Sequence, residues 1–258
     1  MILCIDIGNT STKFAVVGNR EIVESTRTRS GANASEIERA VLSIMIPYVD
    51  TAALSSVNPE LTKDVARSIR RITGIRPLIV TSRLKMPVSI GTRQPSKVGV
   101  DRLCAACGAL TERKRNAIIV DIGSAITVDL VLDRVLMGGV IMAGPQMTLS
   151  ALHQFTAQLP DLELARYRRD GIDDTELAML TGAVVGSNGA VVAAVDLLQK
   201  RSRASRIPVW LTGGHAERFQ RRLPRSYKFV PGLTLLGLAE IADHHRILRV
   251  SARKRPAY

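Results

Sequence analysis

Cysteine and aromatic residues are scarce in this chain of 258 residues, and no long apolar run is present. Cys104 and Cys107 form a CxxC pair, but no second pair and no histidine cluster completes a tetrahedral metal site. No apolar stretch approaches the ~20 residues that cross a bilayer. The chain opens on an apolar segment without a basic leader. The cysteines are therefore interpreted as small buried thiols in a reducing compartment. Together with the missing membrane-length run and leader, this predicts a cytoplasmic protein.

The charge is strongly one-sided, with 36 Lys and Arg against 23 Asp and Glu, a net charge of +13. A basic surface attracts anions, both small phosphorylated molecules and nucleic acid. Aromatic residues make up 3% of the chain, which leaves few side chains for base stacking. A solvated basic surface is therefore the favoured interpretation. Nucleic acid is an unlikely partner that the composition does not exclude.

One layout occurs twice along the chain. An apolar strand, an Asp-Ile-Gly turn and a second strand occupy residues 2–17, and the same order returns at residues 117–132. The repeat predicts an α/β fold of two similar domains, residues 1–115 and 116–258, with a ligand cleft between them. The 3.6-residue apolar period predicts helices, which we place at residues 35–45 (with Ser35 as N-cap), 59–73, 101–115, 147–156, 175–199 and 233–246.

The repeated turn carries chemistry suited to phosphate groups. In the first copy, Asp6 ends a buried strand and offers a carboxylate to Mg²⁺, and Gly8 lets the backbone approach a phosphate. Asn9 and Thr10 add short hydrogen-bond donors, and Lys13 adds a positive charge. The second copy offers Asp121, Gly123, Ser124 and Thr127. Neither a GxxxxGK[ST] loop nor a strand-linked GxGxxG is present, so other common nucleotide sites are excluded.

Longer blocks resemble a known family. The sequence resembles the ATPase fold of the acetate kinase, sugar kinase, heat-shock ATPase and actin superfamily, in which two ribonuclease H-like domains form the molecule. Three segments carry this resemblance: the opening Asp6 to Lys13, the second Asp-x-Gly and the late Gly-Gly. Within it, the sequence resembles type III pantothenate kinases. The blocks that carry this resemblance are Gly99 to Arg102, Asp121 to Thr127, Gly138 to Ile141, Thr156 to Pro160, Thr212 to Gly214 and Leu233 to Gly237.

The resemblance implies a reaction and a set of roles. The enzyme would transfer the γ-phosphoryl group of ATP to pantothenate, using Mg²⁺ and a monovalent cation, K⁺ or NH₄⁺, in the first step towards coenzyme A. Asp101 would be the general base, Asp121 would help hold the monovalent cation, and a homodimer would bring Thr175 to the neighbouring subunit's pantothenate. The remaining implied contacts are Gly99, Val100, Arg102 and Thr92 to pantothenate, and Thr212, Gly213 and Gly214 to the adenosine.

The sequence departs from the family at three places. Thr92 stands where the family has tyrosine, Ser124 where it has threonine, and Ala143 where it has proline. Ser124 keeps the hydroxyl, whereas Thr92 changes a side chain expected to face pantothenate. Two alternatives stay open: a kinase for another small alcohol, and a non-catalytic basic relative that acts as a regulatory or nucleic-acid-binding factor. The acidic residues and lysine of the two turns favour a kinase.

Overall fold

The computed structural model describes residues 1–44, 49–110, 114–204 and 206–253. These residues contain eleven β-strands: β1 (Ile2–Ile7), β2 (Ser11–Gly18), β3 (Glu21–Arg29), β4 (Thr51–Ser56), β5 (Leu78–Ile79), β6 (Ser89–Ile90), β7 (Ala117–Ile122), β8 (Ala125–Leu132), β9 (Val135–Ala143), β10 (Val209–Thr212) and β11 (Tyr227–Phe229). They also contain seven α-helices: α1 (Ala34–Ile44), α2 (Pro59–Thr73), α3 (Val100–Ala109), α4 (Pro145–Phe155), α5 (Thr175–Ser202), α6 (Ala216–Gln220) and α7 (Leu233–Arg253).

The chain forms two compact units. The first comprises Met1–Arg115, Asp133–Met137 and Gly232–Tyr258, and the second comprises Asn116–Leu132 and Gly138–Pro231. The first unit holds a five-stranded sheet in the order β3-β2-β1-β4-β5, in which β1 pairs antiparallel with β2 and parallel with β4. Asn19 and Arg20 have positive φ between β2 and β3, as a tight hairpin turn requires.

The second unit repeats this arrangement. Its strands follow the order β9-β8-β7-β10-β11, with β7 antiparallel to β8 and parallel to β10. β6 pairs with Val135 and Leu136 at the start of β9, and these residues belong to the first unit. The two sheets thus share one strand order, and the α/β repeat predicted from the sequence is confirmed.

Each unit has its own apolar core. All six residues of β1 are buried, as expected for a central strand covered on both faces. Its odd-numbered residues Leu3, Ile5 and Ile7 belong to a cluster that includes residues of α1 and α2. In the second unit, buried residues of β7, β8 and α5 share a second cluster.

Three helix predictions need correction, the first being α7, which extends to Arg253 instead of ending at residue 246. The N-cap of α1 is Asn33 rather than Ser35, because the Asn33 side chain accepts the Glu36 N–H at 3.0 Å and Glu36 accepts the Asn33 N–H at 2.8 Å. α3 ends at Ala109 instead of residue 115, since Leu110 turns to extended backbone and its carbonyl accepts a 3.0 Å hydrogen bond from Arg20. Predicted helical residues 45 and 111–113 lie outside the described residues.

α5 is the one helix, within the described residues, that is long and apolar enough to cross a membrane by length and composition. Half of its apolar window is buried inside the protein, where Val184 and Val191 join the core of the second unit. A core helix passes the same test, so this composition is weak evidence for a membrane span.

Candidate active site

The first Asp-Ile-Gly turn joins β1 to β2. Asp6 pairs with Lys13 across the two strands, and the Gly8 N–H donates to the Ser11 carbonyl at 3.0 Å to close the turn. A Cβ on residue 8 would lie 3.2 Å from that carbonyl oxygen, so the turn leaves little room for a side chain. Asn9 and Thr10 form the exposed tip. The local sequence therefore holds Asp6 in the sheet and presents polar groups beyond it.

The Asp6 carboxylate is buried, with 7% of the residue exposed. Oδ1 accepts a 2.7 Å hydrogen bond from the Ser55 hydroxyl, and Oδ2 lies 3.8 Å from Lys13 Nζ. Burial raises the pKa of Asp6 above its usual value, while Lys13 and Ser55 oppose the rise and the negative charge of Asp101 adds to it. A desolvated carboxylate of this kind is well suited to bind a cation.

Asp101 lies in the first turn of α3. The N-cap is Gly99, so Asp101 is not the cap, and its Oδ1 accepts the Arg102 N–H at 2.9 Å. An acidic residue in the first turn is favoured by the helix dipole. Because the charge of Asp101 affects the pKa of Asp6, the two carboxylates belong to one electrostatic neighbourhood of the first unit.

Thr92 lies in the segment between β6 and α3. Its hydroxyl oxygen is buried, and it has no hydrogen-bond partner within the residues that the structure describes. A buried hydroxyl without a partner is unfavourable by about 1–3 kcal/mol. This hydroxyl therefore has hydrogen-bonding capacity that the described residues do not use.

The second Asp-Ile-Gly turn joins β7 to β8 in the same way. Asp121 pairs with Thr127, and the Gly123 N–H donates to the Ala125 carbonyl at 3.0 Å. The Ser124 carbonyl accepts the Gly144 N–H at 3.1 Å, which ties the turn to the start of α4. The second turn thus joins its strands in the same order as the first but is one residue shorter, since Asp121 pairs with the sixth residue after it and Asp6 with the seventh.

The end of β10 lies directly beside this second turn. Thr212 pairs with Asp121 in parallel register, and Gly213 follows with φ of +108°, a conformation that favours glycine. A Cβ on residue 213 would lie 2.5 Å from Asp121 Oδ1. The next residue, Gly214, is exposed, with open space where a Cβ would be. The second unit therefore gathers the second turn and the Thr-Gly-Gly segment at one edge of its sheet.

The fold and the sequence are both similar to known proteins. Residues 2–196 match the family model of type III pantothenate kinase. The type III pantothenate kinase of Kosmotoga olearia is 30% identical over 96% of this chain and 98% of its own length, and that of Chlorobium luteolum is 32% identical over 96% and 91%. The chain belongs to the type III pantothenate kinase family.

Solved structures show the same fold at lower identity. A conserved putative Baf family transcriptional activator from Campylobacter jejuni aligns with a TM-score of 0.58 and 18% identity, covering 95% of this chain and 99% of that one. The ROK hexokinase from Thermus thermophilus aligns with a TM-score of 0.52 and 13% identity, covering 95% and 99%. These likenesses concern the fold alone, and they confirm the predicted sugar-kinase and actin-like architecture of two ribonuclease H-like domains.

Sequence reasoning missed one residue that contacts the Asp6 carboxylate, Ser55. It is the last residue but one of the apolar strand β4, is 1% exposed, and pairs with Asp6 in the parallel register of β1 and β4. A serine near the end of an apolar strand was the available signal, but its partner becomes evident only when the two strands are paired. The Ser55 hydroxyl donates to one oxygen of the Asp6 carboxylate, and the other oxygen faces Lys13.

Thr175 belongs to the second unit, as the first residue of α5. The N-cap of α5 is Asp174, whose side chain accepts the Leu177 N–H at 2.8 Å. Thr175 is exposed, and the cap of the helix is provided by the residue before it.

Proposed function

We propose that this chain is an ATP-dependent pantothenate kinase that phosphorylates the 4′-hydroxyl of pantothenate, the first step of coenzyme A biosynthesis. The observation that carries the proposal is the match of residues 2–196 to the type III pantothenate kinase family. The buried Asp6 carboxylate, with Ser55, Lys13 and Asp101 around it, supports the same chemistry. Phosphoryl transfer needs positioned charges more than covalent help, and this set supplies them.

The two turns are assigned to the nucleotide. In the first, the backbone around Gly8 and the side chains of Asn9, Thr10 and Lys13 contact phosphate oxygens. In the second unit, the hydroxyls and backbone of the β7–β8 turn contact phosphate and the segment after β10 approaches the adenosine. The second-unit residues so assigned are Gly123, Ser124, Thr127, Thr212, Gly213 and Gly214.

Asp6 is assigned to Mg²⁺, and Asp121 to a monovalent cation, K⁺ or NH₄⁺. The described residues contain no cluster of three or more His, Cys, Asp or Glu that could hold a metal. A site built on one carboxylate fits Mg²⁺, which keeps several waters and shares phosphate oxygens as ligands. When bound, the ion neutralises charge that develops on the phosphates. Burial raises the pKa of Asp6, and a bound cation would lower it again because the cation stabilises the ionised carboxylate.

Asp101 is assigned as the general base that accepts the proton of the pantothenate hydroxyl. One of its oxygens accepts the Arg102 N–H, which fixes the carboxylate while the other oxygen remains to take a proton. Gly99, Val100 and Arg102 line the pantothenate site. Thr92 is assigned to the same site on the family resemblance, and its buried hydroxyl would have to be uncovered to contact pantothenate.

A homodimer is the proposed assembly, with Thr175 reaching the pantothenate of the neighbouring subunit. The exposed face of α5 supports it: Val185 and Leu197 are 48% and 47% exposed, and a Cβ on Gly186 or Gly189 would meet no atom within 4 Å. Small and apolar residues on one helix face allow a second helix to approach closely. Light scattering should give a dimer for the wild type and a smaller mass for Gly186→Arg. The proposed location is the cytoplasm.

A non-catalytic regulatory role is not favoured for a member of this kinase family. The decisive experiment is a coupled ATP assay with pantothenate, with and without K⁺, on the wild type and Asp101→Asn. We expect turnover that depends on pantothenate, and a loss in the variant of about 10²–10⁴-fold in kcat. Asp64→Asn, which changes an exposed carboxylate on α2, serves as the control. Turnover without pantothenate, or an equally active Asp101 variant, would contradict the proposal.

A further inference from the structure

Positive charge is concentrated in one stretch of the second unit. Residues 200–228 contain nine Lys and Arg and one Glu, a net charge of +8 out of +13 for the whole chain. The kinase chemistry proposed above uses none of these ten charged residues. Their concentration therefore calls for a separate physical explanation.

The fold brings five of these cations to one end of the second unit. The Gln199 amide donates to the Ile207 carbonyl at 2.7 Å, which joins the end of α5 to the residue preceding β10. A cavity of about 490 Å³ is lined by residues of α5, by Arg206 and by Pro224, Ser226 and Tyr227. The basic end, as we name this surface, consists of the exposed side chains of Lys200, Arg201, Arg203, Arg206 and Arg225.

The basic end lies away from the second phosphate turn. β7, β10 and β11 run parallel, and the basic end borders the first residues of β10 and β11, Val209 and Tyr227. Thr212 and Asp121 occupy the carboxyl ends of β10 and β7. Three residue steps along a strand correspond to about 10 Å. These cations therefore lie at the opposite end of the strands from the nucleotide assigned to that turn.

One acidic residue, Asp196, lines the same cavity as Arg206, but the cations of the basic end are not in ion pairs within the described part of the chain. None of its five cations forms an ion pair there, whereas Arg166 lies 2.6 Å from Glu176 and Arg222 lies 2.9 Å from Asp170 elsewhere in the same unit. Lys200 and Arg201 lie in the last turn of α5, where the helix dipole favours cations. The other three lie beyond the helix, so the dipole does not account for them.

We propose that the basic end binds the phosphate backbone of a nucleic-acid duplex, without sequence preference. Four of its five cations are arginines, whose planar guanidinium groups bind phosphate in a bidentate manner. The neighbouring aromatic residues Trp210 and Tyr227 are buried and offer no surface for stacking on unpaired bases. Backbone contact with a duplex therefore fits this surface better than capture of single strands. The proposal adds a binding surface to a catalytic kinase.

The test measures fluorescence anisotropy with labelled duplexes of about 20 base pairs, two helical turns. One arm uses DNA and the other RNA, between about 50 and 200 mM salt. The basic-end variant carries Arg201→Gln, Arg203→Gln, Arg206→Gln and Arg225→Gln. The matched control carries Arg27→Gln, Arg39→Gln, Lys63→Gln and Arg70→Gln, which removes the same charge from exposed positions of the first unit.

For the wild type we expect non-specific binding with Kd of about 10⁻⁴–10⁻⁶ M at physiological salt. The basic-end variant should bind at least about tenfold more weakly, and the slope of log K against log salt should fall by about one per lost phosphate contact. The control variant should lose much less affinity for the duplex. Both variants should keep wild-type kinase turnover. If the basic-end variant does not fold, the single variant Arg206→Glu replaces it.

Three outcomes would overturn the proposal. The first is an absence of duplex binding at low salt. The second is an equal loss in both variants, which would assign the binding to overall charge. The third is binding to anionic phosphatidylglycerol vesicles but not to either duplex, which would make the basic end a membrane-contact surface.

Discussion

The Ser55 hydroxyl donates a 2.7 Å hydrogen bond to Oδ1 of Asp6, its register partner across the parallel strands β1 and β4. Both side chains are buried, and Lys13 lies 3.8 Å from the other carboxylate oxygen. The carboxylate is thus held from two sides by groups on adjacent strands. Ser55 acts through Asp6, and we regard it as a positioning residue for the proposed metal and phosphate contacts.

Ser55→Ala should weaken the use of Mg-ATP. Hydrogen bonds to charged groups contribute about 1.5–3 kcal/mol, so we expect kcat/KM for Mg-ATP to fall by about 10- to 100-fold. Since the Ser55 hydrogen bond lowers the pKa of Asp6, the acid limb of the pH–rate profile should also move to higher pH. Ser56→Ala is the matched control, because that hydroxyl donates to the Asn58 carbonyl instead. Equal profiles for both variants would contradict the positioning role.

Asp6→Asn should abolish activity and raise thermal stability at neutral pH. Burial raises the pKa of Asp6 above that of the unfolded chain, so its contribution to stability is full below the unfolded pKa and is lost as pH rises through the folded pKa. At neutral pH, which is above the unfolded pKa, the buried carboxyl group therefore lowers the stability of the fold, and a neutral amide removes that effect.

The measurement for this variant is the unfolding midpoint against pH for the wild type, Asp6→Asn and Asp64→Asn. The difference in unfolding midpoint between Asp6→Asn and the wild type should narrow as the pH falls towards the pKa range of carboxyl groups. In that range Asp6 is protonated and is therefore neutral, as asparagine is. Asp64 is exposed on α2 and should show no such trend. A lower midpoint for Asp6→Asn at neutral pH would refute this prediction.

Local sequence signals predicted some elements to the residue. α2 runs from Pro59 to Thr73 as predicted, because Asn58 caps its start and Gly74 adopts positive φ after its end. The two Asp-Ile-Gly hairpins were equally readable, since each joins two apolar strands. In such cases the residues that form the element also carry the signal that marks it.

Other features depend on contacts between distant segments. Ser55 and Asp6 are 49 residues apart, and only strand pairing brings them together. The end of α3 is set by Arg20 from the β2–β3 turn, which no local pattern around Leu110 indicates. α6 and β11 have five and three residues, too few for a periodic signal. The assigned roles of the site residues remain predictions for experiment.

Gly213→Ala should lower both stability and ATP affinity. Residue 213 has φ of +108°, and an added Cβ would lie 2.5 Å from Asp121 Oδ1, so the substitution strains the backbone and displaces the carboxylate. Strain of this type amounts to about 1–3 kcal/mol. Gly214→Ala is the control, because a Cβ there meets no atom within 4 Å. Calorimetric titration with ATP should separate the two variants; equal affinities would argue against a role for this turn.

The three cysteines should behave as inert core residues. Cys4, Cys104 and Cys107 are free and buried, and burial raises the pKa of the Cys107 thiol to about 12. Thiolate is the reactive form, so the native protein should react very slowly with a disulfide reagent such as DTNB. All three thiols should titrate after denaturation in guanidinium. Rapid labelling of one native thiol, or stoichiometric zinc in the purified protein, would contradict the buried-thiol interpretation.

The crossing of α3 and α7 depends on two glycines. A Cβ on Gly108 would overlap with the Leu233 carbonyl oxygen, and a Cβ on Gly237 would overlap with the Cys104 carbonyl oxygen. Gly237→Ala should therefore push the helices apart, at a cost of about 1–3 kcal/mol as for other overpacked sites. Because α3 carries Asp101 in its first turn, kcat should fall together with the unfolding midpoint.

Gly18→Ala is the control for this substitution, since it adds the same methyl group at the end of β2, where the nearest atoms lie at 3.5 Å or more. Contacts of that length are ordinary van der Waals contacts, so this variant should keep the wild-type stability. Differential scanning calorimetry and the coupled assay should therefore separate Gly237→Ala from both the control and the wild type. If Gly237→Ala kept both the wild-type midpoint and the wild-type kcat, the close helix crossing would not be what holds Asp101 in place.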